Sequence, residues 1–295
     1  MEAKQFHIVD VFAEEKYAGN QLAVFRSARG LSADEMQRIA REIHFSETTF
    51  LLSETPRDGG YDVRIFTPGA EVPFAGHPTL GTAYVIRREI IKNPVRQVNL
   101  NLKVGQIPVA FEPQAGGGDI VWMTPKEAVF GETFDPREIA PLLTLDADDI
   151  DADYPIQSVS TGLPFVLLPL RSLETVRRAK VVTDKWLDWV KDRAAKMVFV
   201  FCRETVQAAN QLHARAFCDY YGIVEDPATG SANSCFAAYL ARHRYFGSGE
   251  IDVRVEQGYE IGRPARIYLK AQDRGGTIHV EVGGKVVTIA QGDFL

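Results

Sequence analysis

Two segments of the sequence place a glycine at the start of a predicted helix, an arrangement that can bind an anion. The first is residues 73–79 (Pro-Phe-Ala-Gly-His-Pro-Thr) and the second is residues 225–233 (Glu-Asp-Pro-Ala-Thr-Gly-Ser-Ala-Asn). Gly76 and Gly230 lie where a loop enters a helix, and the free N–H groups there, with the positive end of the helix dipole, attract anions. If both helix starts face one cleft, they would converge on a single anionic ligand, for which a carboxylate is the natural candidate. The alternative is an ordinary helix cap at each position.

Other chemical motifs are missing from the sequence. It contains no GxGxxG, GxxxxGK[ST], HExxH or GxSxG pattern, and its six histidines have no metal-ligand spacing. The glycines of residues 115–118 lie between two strand patterns, which predicts a hairpin turn rather than a phosphate-binding loop. We therefore expect neither a cofactor nor a metal ion. The three cysteines, Cys202, Cys218 and Cys235, are too far apart for a CxxC pair and are predicted to be reduced and buried.

Charge and composition exclude some classes of partner. The chain has 295 residues and a net charge of −6, and no run of Lys or Arg exceeds two residues. The sequence therefore lacks the cluster of basic residues that is typical of a nucleic-acid-binding protein. The start of the chain does not resemble a targeting signal, and the apolar run at residues 162–170 is too short to span a bilayer. We expect a cytoplasmic protein with a small-molecule partner and without a nucleic-acid or membrane partner.

Many short apolar runs and few helical patterns predict an α+β fold. A capping box, Ser32 with Glu35, opens the helix predicted at residues 32–43. The other predicted helices are residues 78–91, 136–143, 184–192 and 232–245. The predicted strands are residues 6–12, 22–25, 48–52, 63–66, 98–102, 107–111, 120–124, 158–168, 197–201, 213–217, 266–269, 277–282 and 285–290.

The chain also repeats itself. Residues 17–91 and 160–245 contain the same series: a glycine turn into a strand, a helix, a strand, an Arg-x-Phe strand, and a glycine that opens a second helix. Matching positions are 143 residues apart (19 and 162), 151 apart (64 and 215) and 154 apart (76 and 230). A long-period repeat predicts two copies of one unit, and ligands often bind in clefts between domains; a chance likeness of two α/β halves is the alternative. The predicted domains are residues 1–124, with the C-terminal strand at about 285–295, and residues 125–284.

Three segments resemble the signature segments of the phenazine-biosynthesis (PhzF-like) family. They are residues 45–50 (Phe-Ser-Glu-Thr-Thr-Phe), residues 75–83 (Ala-Gly-His-Pro-Thr-Leu-Gly-Thr-Ala) and residues 225–232 (Glu-Asp-Pro-Ala-Thr-Gly-Ser-Ala). Residues 9–12 and 19–24 and the glycine pattern of the C-terminal tail also match, so the resemblance covers the whole chain.

This resemblance implies a fold similar to diaminopimelate epimerase, with two pseudo-symmetric domains, each a curled and mostly antiparallel sheet around a central helix. It implies a cofactor-independent isomerase that moves a carbon-bound proton, similar to trans-2,3-dihydro-3-hydroxyanthranilate isomerase, and a homodimer. It further implies that Glu47 is the acid/base and that His77, Asp226 and Ser231 line the pocket. Fold carries over within such a family better than substrate does.

The sequence differs from diaminopimelate epimerase in one respect. That enzyme has a catalytic cysteine before each of the two helix starts, and the matching positions here are Ala75 and Thr229. No thiol pair can therefore perform two-base racemisation, which agrees with Glu47 as the acid/base. The apolar strand that follows Glu47 predicts desolvation, which would raise its pKa from about 4.3 toward the range of about 6–7 that suits a general base at neutral pH.

Each of these residues also has a structural alternative. Glu47 could be a surface residue of a strand, His77 a helix cap, Asp226 the turn residue of an Asp-Pro pair, and Ser231 an ordinary first-turn residue. Asn20 could either form a turn or contact the substrate.

Two other functions remain open. One is a non-catalytic small-molecule-binding or scaffold protein of the same fold. The other is a hydrolase that uses Cys235 or Ser231, which is disfavoured because the sequence pattern places no base beside either residue.

Overall fold

The computed structural model describes residues 3–295, in which the chain forms two compact units. Among the described residues, one unit contains residues 3–123 and Gly283–Leu295, and the other contains Thr124–Val282. We call them the N-terminal unit and the C-terminal unit. No helix within residues 3–295 combines the length and apolar composition needed to cross a bilayer.

The N-terminal unit contains eight strands before the chain leaves it. They are β1 (Lys4–Val11), β2 (Asn20–Phe25), β3 (Glu47–Leu51), β4 (Tyr61–Phe66), β5 (Glu71–Val72), β6 (Gln97–Leu102), β7 (Gly105–Pro113) and β8 (Asp119–Met123). Its helices are α1 (Ala33–Ile43) and α2 (Gly76–Val85), and α2 continues into a π-helical turn, Ile86–Ile91.

The C-terminal unit follows with strands β9 (Val129–Phe134), β10 (Ile156–Ser160), β11 (Pro164–Pro169), β12 (Met197–Cys202), β13 (Leu212–Cys218), β14 (Ile223–Asp226), β15 (Glu250–Gln257), β16 (Ala265–Arg274) and β17 (Thr277–Gly284). Its helices are α3 (Pro136–Ile139), α4 (Leu173–Arg178), α5 (Thr183–Val190) and α6 (Gly230–Arg242). Three short 3₁₀ turns are Ala140–Leu143, Ala147–Asp149 and Asp219–Tyr221. The last strand of the chain, β18 (Val286–Phe294), belongs to the N-terminal unit.

The two units have the same strand pairing. In the N-terminal unit, β1 is antiparallel to β18 and β2, β2 is parallel to β3, and β3 is antiparallel to β4. β4 is then antiparallel to β5 and parallel to β6, which is antiparallel to β7. The series β9 to β16 of the C-terminal unit has the same directions, with β10 in the place of β1 and β9 in the place of β18. The predicted internal repeat is confirmed.

A buried helix lies against each sheet. α2 contacts strands β1, β2, β3, β6, β7, β8 and β18. Nine of its ten residues are buried. α6 contacts β10, β11, β15 and β16, and 11 of its 13 residues are buried. A helix surrounded by core needs apolar or small residues on all sides, as both have. The predicted α+β fold, with a mostly antiparallel sheet around a central helix in each half, is confirmed.

The repeat extends to side chains that support the sheets. Arg64 on β4 donates two hydrogen bonds to Glu71 on β5, both 2.8 Å, and Arg215 on β13 makes the matching pair with Glu225 on β14 at 3.0 and 2.7 Å. In both units the guanidinium group also lies over the ring of the phenylalanine two residues later, at 5.1 Å and 4.7 Å from its centroid. The Arg-x-Phe element of the repeat is therefore structural.

The structure corrects several element predictions. The apolar run 158–168, predicted as one strand, forms two antiparallel strands, β10 and β11, because the chain turns at Gly162, whose φ of 124° favours glycine. The helix predicted at residues 78–91 is α2 followed by the π-helical turn. Strands β5, β9, β14 and β15 and helix α4 were not predicted. The hairpin turn at residues 115–118 is confirmed, since β7 and β8 pair antiparallel on either side of it.

Candidate active site

Glu47 and His77 lie side by side in the N-terminal unit. Glu47 is the first residue of β3 and His77 is the second residue of α2, so they are 30 residues apart in sequence. His77 Nε2 lies 3.4 Å from Glu47 Oε2, and the two side chains are only 6 % and 17 % exposed. The fold thus places a carboxyl group and an imidazole in contact within a mostly desolvated environment.

His77 is neutral at physiological pH. Burial lowers its pKa to about 3, because a charged ring loses hydration there, and a hydrogen bond to the main chain of Gln21 only partly opposes this effect. Within residues 3–295 Nε2 itself has no hydrogen-bond partner, so the bond to Gln21 uses Nδ1. A neutral ring that donates Nδ1–H to a carbonyl group has a lone pair on Nε2. That lone pair lies against the Glu47 carboxyl group and can accept a hydrogen bond from it when the carboxyl group is protonated.

Close packing of α2 on β1, β2 and β3 fixes the separation of Glu47 and His77. Thr82 Oγ1 on α2 donates a buried hydrogen bond of 2.8 Å to Thr49 Oγ1 on β3. A Cβ atom added to Gly81 would lie 2.6 Å from Leu22 Cδ2 on β2, so a larger residue here would force the helix or the buried Leu22 side chain to move. The supporting role of these residues was not predicted from the sequence, although a glycine inside a helical pattern is a signal of close packing.

In the C-terminal unit, the predicted residues cluster where β14 meets α6. Asp226, the last residue of β14, is 7 % exposed, and its Oδ2 accepts a hydrogen bond of 2.5 Å from Thr229 Oγ1. Gly230 is the first residue of α6 and is buried, and Ser231 is partly exposed. Asp226 is therefore held by the loop that leads into the helix.

The structure also reveals a residue that the sequence did not indicate. Gln257, the last residue of β15, is fully buried and its side-chain amide contacts the loop between Asp226 and α6. Its Nε2 donates to the main-chain oxygen of Asp226 at 2.8 Å and to Thr229 Oγ1 at 3.0 Å. A lone glutamine at a strand end carries no sequence signal of such a role.

Neither helix start is capped by the side chain that precedes it. Ala75 cannot accept a hydrogen bond through its side chain, and Thr229 uses its hydroxyl group on Asp226 instead, so neither N-cap residue bonds the first turn of its helix in the described chain. The binding of an anion by the first-turn N–H groups after Gly76 and Gly230 stays a prediction. Asn20, the first residue of β2, is 2 % exposed and pairs with Val11 of β1.

The matched strands show that only one unit has the carboxyl–imidazole pair. Glu47 lies opposite Leu22 in the β2–β3 register, and the matching position opposite Phe165 in β11–β12 is Met197. The matching position to His77 is Ser231. The carboxyl–imidazole contact is therefore asymmetric between the two halves of the repeat.

A thiol nucleophile is also disfavoured. Cys235 is fully buried inside α6, 3.6 Å from Thr161 Oγ1, and burial raises the pKa of its thiol to about 11. A thiol that stays protonated at neutral pH is a poor nucleophile. Within residues 3–295, no group of three or more His, Cys, Asp and Glu side chains is placed to hold a metal ion.

Comparisons with known proteins agree on one family. A family described as "Phenazine biosynthesis-like protein" matches residues 9–292. The chain is 35 % identical over 289 residues to the trans-2,3-dihydro-3-hydroxyanthranilate isomerase of Pseudomonas aeruginosa, with 98 % of each chain covered. Among solved structures, a PhzF-family phenazine biosynthesis protein of Bacillus anthracis has a TM-score of 0.92 at 27 % identity, with 100 % of each chain covered. A predicted epimerase of Pseudomonas aeruginosa has a TM-score of 0.81 at 33 % identity, with 99 % of each chain covered.

Proposed function

The chain belongs to the phenazine biosynthesis-like (PhzF) family of isomerases, and from this premise we propose that it moves a carbon-bound proton on a small carboxylate-bearing substrate, without a cofactor, with Glu47 as the acid/base. The observation that supports this proposal most is the contact between Glu47 and the neutral His77 at 3.4 Å.

The reaction needs one group that both takes and returns a proton. A Glu47 carboxylate oxygen removes a proton from an acidic C–H bond, and the electron pair of that bond moves into the neighbouring double-bond system. The resulting Glu47 carboxyl group donates a hydrogen bond to His77 Nε2, whose lone pair stabilises the protonated form. Glu47 then delivers the proton to a different carbon, which forms a new C–H bond and shifts the double bond.

A single base explains why the second half of the repeat lacks a counterpart. Racemisation by two bases needs one group on each face of the substrate carbon. The matching positions in the C-terminal unit are Met197 and Ser231, and neither is a base at neutral pH. One carboxyl group that removes and returns the proton acts on one face of the substrate, which suits an isomerisation.

Substrate binding is assigned to the helix starts and their neighbours. The N–H groups after Gly76 and Gly230, with Ser231 and Asn20, are proposed to bind polar groups of the substrate, above all a carboxylate. Asp226 is proposed as the second catalytic carboxyl group, which holds a substrate amine or hydroxyl group or exchanges its proton. Following the named relatives, trans-2,3-dihydro-3-hydroxyanthranilate is the first substrate to test. We also expect a homodimer, which size-exclusion chromatography with light scattering can measure.

The test compares Glu47→Gln with the parent on trans-2,3-dihydro-3-hydroxyanthranilate. The variant keeps the size of the side chain but cannot accept the proton, and loss of a general acid/base lowers kcat by about 10²- to 10⁴-fold. Product formation is followed by absorbance, and deuterium in the product is measured by mass spectrometry after reaction in D₂O. Glu42→Gln, at an exposed carboxyl group on α1, is the matched control and should behave as the parent.

The outcomes separate catalysis from binding. Parental turnover in Glu47→Gln would remove Glu47 from the acid/base role. If neither protein turns over this compound but both bind it, the substrate is wrong or the chain is a binding protein. A panel of unsaturated carboxylates tested for deuterium uptake then separates these two readings.

A further inference from the structure

The side-chain amide of Gln257 is fully buried between β15 and the loop before α6, and its oxygen and its nitrogen each make two hydrogen bonds. Its Oε1 accepts from the Thr229 N–H at 3.3 Å and from Asn233 Nδ2 at 3.0 Å. Its Nε2 donates to the Asp226 main-chain oxygen and to Thr229 Oγ1 at 2.8 and 3.0 Å. Because one main-chain carbonyl and one main-chain N–H take part, the two ends of the amide can be assigned in only one way.

This arrangement sets the direction of the hydrogen bond that reaches Asp226. Gln257 Nε2–H needs the Thr229 oxygen as its acceptor, so the Thr229 hydroxyl hydrogen is left for Asp226 Oδ2, which lies 2.5 Å from Thr229 Oγ1. Asp226 is therefore held as an acceptor, with its main-chain oxygen bound by the same amide. One glutamine thus fixes the main chain of the loop and the orientation of the carboxyl group.

The fold does not require this cluster, because the N-terminal unit forms without it. The register of β4–β6 (Asp62 opposite Asn101) matches that of β13–β15 (His213 opposite Glu256), so the position that matches Gln257 is Leu102. The other matching residues are Val72 for Asp226, Ala75 for Thr229 and Thr79 for Asn233. An apolar strand end and an uncapped alanine complete the same architecture there.

We propose that Gln257 is a positioning residue of the active site, which orients Asp226 and residues 226–229 for the reaction. This inference rests on the proposed function, in which Asp226 is a catalytic carboxyl group. It predicts that Gln257 affects the rate through Asp226 and that its effect on folding is separable from its effect on the rate.

The experiment measures kcat, KM and Tm for two variants of the full chain with trans-2,3-dihydro-3-hydroxyanthranilate. Gln257→Leu introduces the side chain found in the other unit, and Gln257→Glu keeps the shape but cannot donate to Thr229 or to the Asp226 main chain. Misplacing a catalytic group by about 1 Å can cost about 10²-fold in rate, and we expect losses of about 10- to 100-fold in kcat with a smaller change in KM. The matched control is Glu256→Gln, at a neighbour on the same strand that is equally buried and bonds Val206, Asn210 and His213 instead. It should lower Tm while the folded enzyme keeps the parental kcat.

A double-mutant cycle tests whether Gln257 acts through Asp226. If it does, Asp226→Asn with Gln257→Leu should be no more than about threefold slower than Asp226→Asn alone, because groups that act as a unit are not additive. Parental kcat in a folded Gln257→Leu or Gln257→Glu variant, or losses that multiply in the double variant, would overturn the inference. Parental turnover in Asp226→Asn would overturn it as well, while a slow Glu47→Gln variant would still leave the isomerase proposal standing.

Discussion

The titration of His77 gives a sharp prediction about stability. Burial lowers its pKa from 6.5 to about 3 in the folded chain, whereas an unfolded chain has the ordinary value. Between these two pH values the unfolded state binds more protons than the folded state, so stability falls as the pH decreases. The contribution of His77 is complete above about pH 6.5 and is lost progressively as the pH approaches about 3.

The magnitude follows from the distance between the assay pH and the ordinary pKa. At pH 4.5 the unfolded-state histidine lies about two pH units below its pKa, and each unit is worth about 1.36 kcal/mol, so protonation favours unfolding by about 2.7 kcal/mol. The variant His77→Gln removes this proton site. On moving from pH 7.5 to pH 4.5, the parent should therefore lose about 2.7 kcal/mol more stability than His77→Gln.

Urea unfolding followed by tryptophan fluorescence at both pH values measures the difference. The exposed His279→Gln variant is the control and should lose as much stability as the parent. Long-range ¹H–¹⁵N NMR adds a direct measurement, in which the folded His77 should keep its proton on Nδ1 from pH 7.5 to pH 5. Equal losses in the parent and His77→Gln, or an imidazolium signal for His77 near pH 6, would refute a neutral His77. They would also remove the hydrogen-bond acceptor beside Glu47.

Two further substitutions test the packing and the chemistry of the central helices. In Gly81→Ala the new Cβ would lie 2.6 Å from Leu22 Cδ2 and 2.9 Å from Val11 Cγ2, so either these buried side chains or α2 must shift. We expect a loss of about 1–3 kcal/mol in stability, and a lower kcat because a shift of α2 moves His77. Thermal unfolding and turnover are measured beside Gly69→Ala, whose nearest neighbour would be 3.7 Å away, and a parental result for Gly81→Ala would contradict the close packing. In Cys235→Ala, kcat should stay parental, since a buried thiol whose pKa is raised to about 11 has no chemical part in the proposal. A folded but inactive Cys235→Ala variant would favour the thiol hydrolase instead.

The sequence predicted most of the fold because apolar periodicity and cap residues are local signals. The strands of the two cores and α1, with its capping box of Ser32 and Glu35, follow such signals. β9 was missed because most of its side chains are exposed, and β5 was missed because it has only two residues. β15 was missed although Ile251, Val253 and Val255 alternate with polar residues; only its end, Glu256 and Gln257, is polar and buried through tertiary hydrogen bonds.

The candidate site was predictable only in part. Glu47, His77 and Asp226 were found through signature segments, but the contact between the first two results from how α2 packs on β3, which no local pattern encodes. Gln21 acts on His77 through its main chain, so its side-chain type carries no signal. Gln257 is separated by 31 residues from Asp226, whose oxygen it bonds, and a single glutamine is too common in surface positions to attract notice.

The internal repeat separates polar groups that the fold needs from those that it does not. The bidentate pairs Arg64–Glu71 and Arg215–Glu225 occur in both units, so they belong to the architecture. Glu47 and His77 face each other in one unit, while the other has methionine and serine at these positions. Asp226 and the buried residues that bond it occur only in the C-terminal unit. The matching residues of the N-terminal unit are apolar or small. Buried polar groups are costly unless they are fully bonded, and a fold that forms without them has no structural reason to keep them. The two sets of groups that break the repeat are therefore where substitutions should change turnover more than stability, whereas substitutions in the repeated Arg–Glu pairs should do the opposite.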